Sequence, residues 1–264
     1  MTHAGDLFRL DGRTAFVSGA SGHLGRVMAR ALAEAGASVI VNGRSPERLD
    51  SLAAMLREEG HHVECAAFDV ADFARVRGYF AQRPRLDVLV NNAIAMTPKS
   101  LATLEPEDFE TTYRSCVTAA FEMVRAARPS LRAAVAAAGG ASVINVSSMY
   151  GQVSPDRRLY ANPEQASPFH YGPAKAALEQ LSRHLAQELG PDGIRVNALA
   201  PGPFPRQDVV EADPAFAERL AARTMLRRLG RASEIAGPLL FLASPASSFV
   251  TGAALAADGG WTAW

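Results

Sequence analysis

Eight residues near the N-terminus, Ser18-Gly19-Ala20-Ser21-Gly22-His23-Leu24-Gly25, carry the first chemical signal. Glycines at 19, 22 and 25 permit a tight turn and let backbone N–H groups approach a pyrophosphate, and a helix beginning there adds the field of its N-terminus. The same spacing suits a structural turn, so its meaning depends on what flanks it. An apolar run before it and a helical pattern after it favour a dinucleotide lying against Gly19, Ser21, Gly22, His23, Leu24 and Gly25. Farther on, Val41-Asn42-Gly43-Arg44 closes a second apolar run without the acid that often holds the ribose hydroxyls of NAD. Arg44 can instead pair with a 2′-phosphate through two parallel charged hydrogen bonds. NADP is therefore the expected cofactor and NAD the alternative, while a solvated loop residue is the plainer reading of Arg44. Asp69 suits either a helix cap or an acceptor for the adenine amino group.

These residues need elements to hold them. Thr14–Ser18 reads as a strand, followed by a helical pattern through Val27, Ala31, Leu32 and Ala35 that stops at Gly36. Ser38–Asn42 is a second strand. A helix with Leu49, Leu52, Ala53 and Leu56 on one face leads to a third, Val63–Phe68. Leu86–Asn91 is near-continuously apolar, as parallel strands buried on both faces are. A long helical region starts near Pro106, is expected to break near Pro129, and runs through an alanine-rich stretch to Gly139-Gly140. Ser142–Val146, Arg195–Ala200 and Ala253–Asp258 complete seven strands, with helices over Tyr171–Gly190 and Ser233–Leu242 and a loop with a short helix over Pro201–Thr224. The alternation predicts an α/β fold: a doubly wound, mostly parallel seven-stranded sheet with helices on both faces, Rossmann-like, in one domain over 1–264.

Composition narrows the partners. Lys+Arg and Asp+Glu number 27 each, which gives no reason to expect a nucleic acid or an anionic membrane. That balance is compatible with a homo-oligomer. Cys65 and Cys116 are far apart and lack metal-ligand spacing, so they read as free thiols in a reducing compartment. The first residues lack the pattern of a secretory signal and no apolar stretch suffices for a membrane span, so a cytoplasmic location is expected.

A series of short motifs then spans nearly the whole chain: the glycine turn at 18–25, Asp69-Val70, Asn91-Asn92-Ala93, Ile144-Asn145-Val146-Ser147-Ser148, Tyr171-Gly172-Pro173-Ala174-Lys175, Pro201-Gly202 and Asp258-Gly259-Gly260. In this order they resemble the short-chain dehydrogenase/reductase superfamily in its one-domain form, and within it the gluconate 5-dehydrogenase-like and 3-oxoacyl-carrier-protein-reductase-like enzymes. The resemblance implies catalytic roles for Ser148, Tyr171 and Lys175. Tyr171 and Lys175 are four apart on a helix and share a face. A phenol, with an ordinary pKa of about 10, is a poor base at neutral pH, and a neighbouring ammonium favours its ionised form. Tyr171 then exchanges a proton with the substrate oxygen, Ser148 fixes that oxygen, and Lys175 also holds the nicotinamide ribose. Cofactor contacts are implied for Val70, Asn91, Ala93, Pro201, Gly202 and Phe204, besides the turn, Arg44 and Asp69. The implied reaction is hydride transfer between NADPH and a carbonyl or secondary alcohol of a small molecule, in a tetramer or dimer.

Four positions depart from the family's pattern. His23 replaces the middle glycine of the turn, Ile94 follows Asn91-Asn92-Ala93 in place of glycine, Cys116 falls where an asparagine supports proton relay, and Pro203-Phe204-Pro205-Arg206 lacks a usual threonine. The interval from Ser148 to Tyr171 is also long. Segments 149–170 and 203–226 are expected to shape substrate choice. Arg157, Arg158 and Arg206 suit an acidic substrate or a charged surface. Tyr150, Tyr160 and Phe204 suit an apolar or ring-shaped pocket. His170 reads as a pocket-edge or structural residue, and Trp261-Thr262-Ala263-Trp264 as an apolar end able to reach a neighbouring subunit. The alternatives are an NAD-dependent alcohol or sugar-acid dehydrogenase and a nucleotide-binding regulatory protein with little turnover.

Overall fold

The computed structural model describes residues 3–161 and 166–264. Seven strands form one sheet in the order β3-β2-β1-β4-β5-β6-β7. They are β1 (Thr14–Val17), β2 (Ser38–Gly43), β3 (Val63–Ala67), β4 (Val88–Asn91), β5 (Ala141–Val146), β6 (Ile194–Pro201) and β7 (Ala254–Ala257). All six pairings are parallel. Nine α-helices accompany them among the described residues: α1 (His23–Glu34), α2 (Pro46–Glu58), α3 (Phe73–Ala81), α4 (Pro106–Tyr113), α5 (Ala119–Ala138), α6 (Tyr171–Leu189), α7 (Gln207–Ala212), α8 (Pro214–Arg223) and α9 (Ala236–Ala243).

The two-residue period of a strand splits the central apolar runs between two cores. Val17, Val39, Val41, Val90 and Ile144 pack with Leu32, Leu56 and Leu239 on one face. Phe16, Ile40, Leu89, Val143 and Val196 pack with Met123, Leu131 and Leu189 on the other. Such double burial is why these strands read as apolar without alternation. Asp87 sits at the opposite end of the sheet from the glycine turn, fully buried. Its carboxylate accepts the Thr14 N–H at 2.9 Å and pairs with Arg85 at 2.6 Å.

Three local expectations change. The helical region does not break at Pro129: α5 passes through it, and the irregularity lies earlier, in a π turn at Arg114–Thr118. Proline removes one N–H and crowds the carbonyl four residues back, yet the buried face of Met123, Val124, Ala127, Leu131 and Ala134 holds the helix on both sides of it. α3 was not expected. It buries only Val76 and Phe80, and it is started by Asp72, whose carboxylate accepts the Arg75 N–H at 3.1 Å. The stretch after β6 holds two helices, the second capped by Asp213, which accepts the Phe216 N–H at 2.8 Å. No helix among the described residues is long and apolar enough to cross a membrane.

Candidate active site

The loops leaving the C-terminal ends of the strands enclose a cleft of about 710 Å³, where ligands of open α/β sheets bind. At one end lie Arg44, Asp69 and Val70, in the middle the glycine turn and Ala93, and at the other Ser148, Tyr171, Lys175, Pro201, Gly202 and Phe204. Every residue expected to act in catalysis or to contact the cofactor therefore lines one cleft except Asn91, whereas Tyr150 and Tyr160, expected about the substrate pocket, do not line it. The Asn91 side chain is buried within the sheet and donates to Asn145 Oδ1 at 2.8 Å. The neighbouring Asn92 lines the cleft instead, and its amide donates to the carbonyls of Ser18 and Gly19 at 3.0 and 3.2 Å. Side chains alternate along a strand, so a shift of one residue at the end of β4 exchanges core for cleft.

The glycine turn fits a closely approaching polyanion. Gly19 has φ +62°, and a Cβ there would lie 3.0 Å from the Asn92 side chain. A Cβ on Gly25 would fall 2.2 Å from the Gly19 carbonyl oxygen. The backbone thus packs too tightly for side chains at either position and leaves the amides at the start of α1 bare toward the cleft, suited to phosphate oxygens. His23, the departure from the family's glycine, is within 3.1 Å of the Phe204 carbonyl through Nε2.

At the ribose end, Arg48 was not expected. It lies in the first turn of α2, lines the same cleft as Arg44 and donates to the Ser21 carbonyl at 3.1 Å. Asp69 accepts the Ala71 N–H at 2.9 Å, so it holds the turn before α3 while also lining the cleft. The cap of α3 itself falls to Asp72.

At the reactive end the two adjacent serines differ in their commitments. Ser147 Oγ lies 2.8 Å from the buried Glu179 carboxylate and 3.1 Å from the Lys175 carbonyl, which occupy its single proton. Ser148 Oγ only accepts, from the Tyr150 N–H at 3.2 Å, and keeps its own proton to donate. The Lys175 ammonium lies 5.7 Å from the centre of the Tyr171 ring and donates to the Val146 carbonyl at 2.6 Å. Ser115, also unexpected, lines the cleft from the π turn and accepts the Ala95 N–H at 2.9 Å. Its neighbour Cys116 is buried among Ile94, Val117, Ala120, Leu178 and Leu181, away from the cleft.

Around this end, Tyr150 and Tyr160 meet hydroxyl to hydroxyl at 3.0 Å, and burial pushes both above the ordinary phenol range. Trp261, Phe216 and Leu220 join them in an apolar cluster that also touches Tyr171. Trp261 thus folds back into its own chain, 2% exposed, and only Trp264 at 54% remains outside, beside Arg223 and Arg227. Arg158 pairs with Asp156 at 2.8 Å and Arg206 with Asp208 at 2.7 Å, while Arg157 lies over Phe169. None of the three arginines lines the cleft. His170 is fully buried, with Nδ1 3.0 Å from Thr112 Oγ1 and Nε2 3.1 Å from the Thr97 carbonyl, a structural tie. Residues 162–165 of the segment expected to shape the pocket lie outside the described residues.

Residues 19–262 match the family model described as enoyl-(acyl carrier protein) reductase. The chain is 34% identical to gluconate 5-dehydrogenase of Gluconobacter oxydans, covering 99% of each. It is 36% identical to the rhamnolipids biosynthesis 3-oxoacyl-[acyl-carrier-protein] reductase of Pseudomonas aeruginosa, over 96% of this chain and 98% of that one. Among solved structures, a gluconate 5-dehydrogenase from Burkholderia cenocepacia in complex with NADP and tartrate superposes with a TM-score of 0.86 at 35% identity, covering 99% of this chain and 100% of that chain.

Proposed function

The chain belongs to the short-chain dehydrogenase/reductase superfamily, and from that premise we propose that it is an NADPH-linked reductase of a carbonyl on a small organic molecule, able to oxidise the corresponding secondary alcohol. Hydride-transfer oxidoreductase activity on CH-OH or C=O groups follows from the family; the cofactor, the direction and the residue roles are the proposal. A single observation carries it. One cleft joins an arginine-lined ribose end to a serine and a tyrosine at the other, with the phosphate turn between them.

Bound NADPH supplies the hydride. The backbone amides of His23–Gly25, at the start of α1, would hold the pyrophosphate, and Pro201, Gly202 and Phe204 would wall the nicotinamide end. Arg44, seconded by Arg48, meets the 2′-phosphate, and β2 ends without a carboxylate to repel it. NADP in the B. cenocepacia relative supports the same choice. Ser148 donates its free proton to the carbonyl oxygen and fixes its position. Tyr171 delivers the proton that completes the alcohol, and the Lys175 ammonium favours the phenolate left behind. Segments 149–170 and 203–226 shape the substrate's seat within a single catalytic unit, which assembles with copies of itself.

A panel of ketones, sugar acids and hydroxy acids assayed with NADPH and with NADH tests the reading. Turnover with a preference for NADPH supports it. Preference for NADH removes the role of Arg44, and dinucleotide binding without turnover on any substrate replaces the enzyme with a nucleotide-binding regulator. Light scattering reports the number of subunits, and a monomer removes the assembly.

A further inference from the structure

His23 and Phe204 come from opposite halves of the sheet. His23 follows β1 and Phe204 follows β6, and the strand order puts β4 and β5 between them. At about 4.8 Å per strand this is a separation of roughly 14 Å. The hydrogen bond from His23 to the Phe204 carbonyl, at 3.1 Å, therefore closes the distance between the two walls of the cleft. A carbonyl can only accept, so Nε2 carries the proton in this contact.

The Phe204 side of the contact is stiff. Pro201, Pro203 and Pro205 alternate through it, and proline fixes φ. The Phe204 N–H donates to the Gly202 carbonyl and the Gly230 N–H to the Pro203 carbonyl, both at 3.0 Å. A Cβ on Gly202 would lie 2.4 Å from Asp258 Cα, which pins the base of the loop. The Phe204 ring lies directly on Gly230, where a Cβ would come within 2.5 Å of it. Behind that ring is a second cavity of about 300 Å³, walled also by Thr224, Leu226 and Ala256. The mobile partner is thus the imidazole, whose rotation breaks the contact without moving the loop.

We propose that His23 is a positioning residue that latches the two walls of the cleft, so that a dinucleotide passes this contact on entry and on exit. The latch rests on the dinucleotide reading of the cleft given above. A latch that re-forms after the cofactor is seated slows entry and exit alike, whereas a side chain that merely ligands a phosphate slows exit.

Stopped-flow fluorescence with NADPH on the whole chain separates the two. His23→Gly is expected to raise the association and dissociation rate constants together, each by about five- to tenfold for the loss of one hydrogen bond, with Kd changing by less than about threefold. His23→Gln, which keeps a side-chain N–H donor, is expected to recover part of the slow exchange. A rise in dissociation alone makes His23 a phosphate ligand and overturns the latch, as do unchanged rates in His23→Gly. A wild-type chain that binds neither NADPH nor NADH overturns the cofactor reading and the latch with it.

Discussion

At the end of β5, Ser147 and Ser148 carry the same hydroxyl one residue apart, and their surroundings give them opposite sensitivities. Ser147 is enclosed by Glu179 and the Lys175 carbonyl, so Ser147→Ala leaves a buried carboxylate short of a partner. The expected cost is about 1–3 kcal/mol in denaturant unfolding, with a smaller effect on turnover. Ser148→Ala releases only the long Tyr150 N–H contact, so it should cost less stability than Ser147→Ala, and it should lower kcat by about 10²- to 10³-fold, the usual loss for one donor to a developing oxyanion. Tyr171→Phe should lower kcat by about 10²- to 10⁴-fold, while NADPH affinity, followed by fluorescence titration, stays within a few-fold. The motif order in the sequence singles out these residues. Ser115 and Arg48 were harder to see, because a lone serine beside Cys116 and a second arginine in a surface helix acquire meaning only when the π turn and the α2 N-terminus bring them to the cleft.

The elements were legible where apolar periodicity was strong and faded where packing was thin. β1, β2, β4 and β5 are buried on both faces and stood out in the sequence to within a few residues. α3 did not, since two buried side chains in nine residues leave little period to detect. Pro129 misled for the opposite reason, a strong local signal overruled by a long buried face. The glycine turn was legible as chemistry, and the structure adds how little slack it has: Gly25→Ala places a methyl group 2.2 Å from the Gly19 carbonyl oxygen. That substitution should cost about 1–3 kcal/mol by overpacking and weaken NADPH binding, read by thermal melts with and without the cofactor. The 3₁₀ turn Ala232–Ile235 leading into α9 is anchored differently. Hydrogen bonding from Arg228 holds the Glu234 carboxyl down to about 2, against an ordinary 4.5. A depressed folded-state pKa stabilises the fold fully above the ordinary value and loses that contribution as pH falls through about 2. Melting temperature should therefore drop between pH 4.5 and 2 more steeply in the native chain than in Glu234→Gln.

At the scale of the molecule, the cleft draws walls from both halves of the sheet, so whatever fills it joins them. A dinucleotide at 100 times its Kd should stabilise the folded state by about 2.7 kcal/mol, visible as a concentration-dependent rise in melting temperature that Arg44→Ala reduces for NADPH more than for NADH. The strand order has a further consequence during synthesis. β1 ends at Val17, while the strand that covers its second edge, β4, begins at Val88. At roughly 5–20 residues per second a ribosome takes on the order of 10 s to make the intervening stretch. Over that interval β1, joined first by β2 and then by β3, keeps an uncovered, apolar border, the kind of surface on which growing chains aggregate or recruit chaperones.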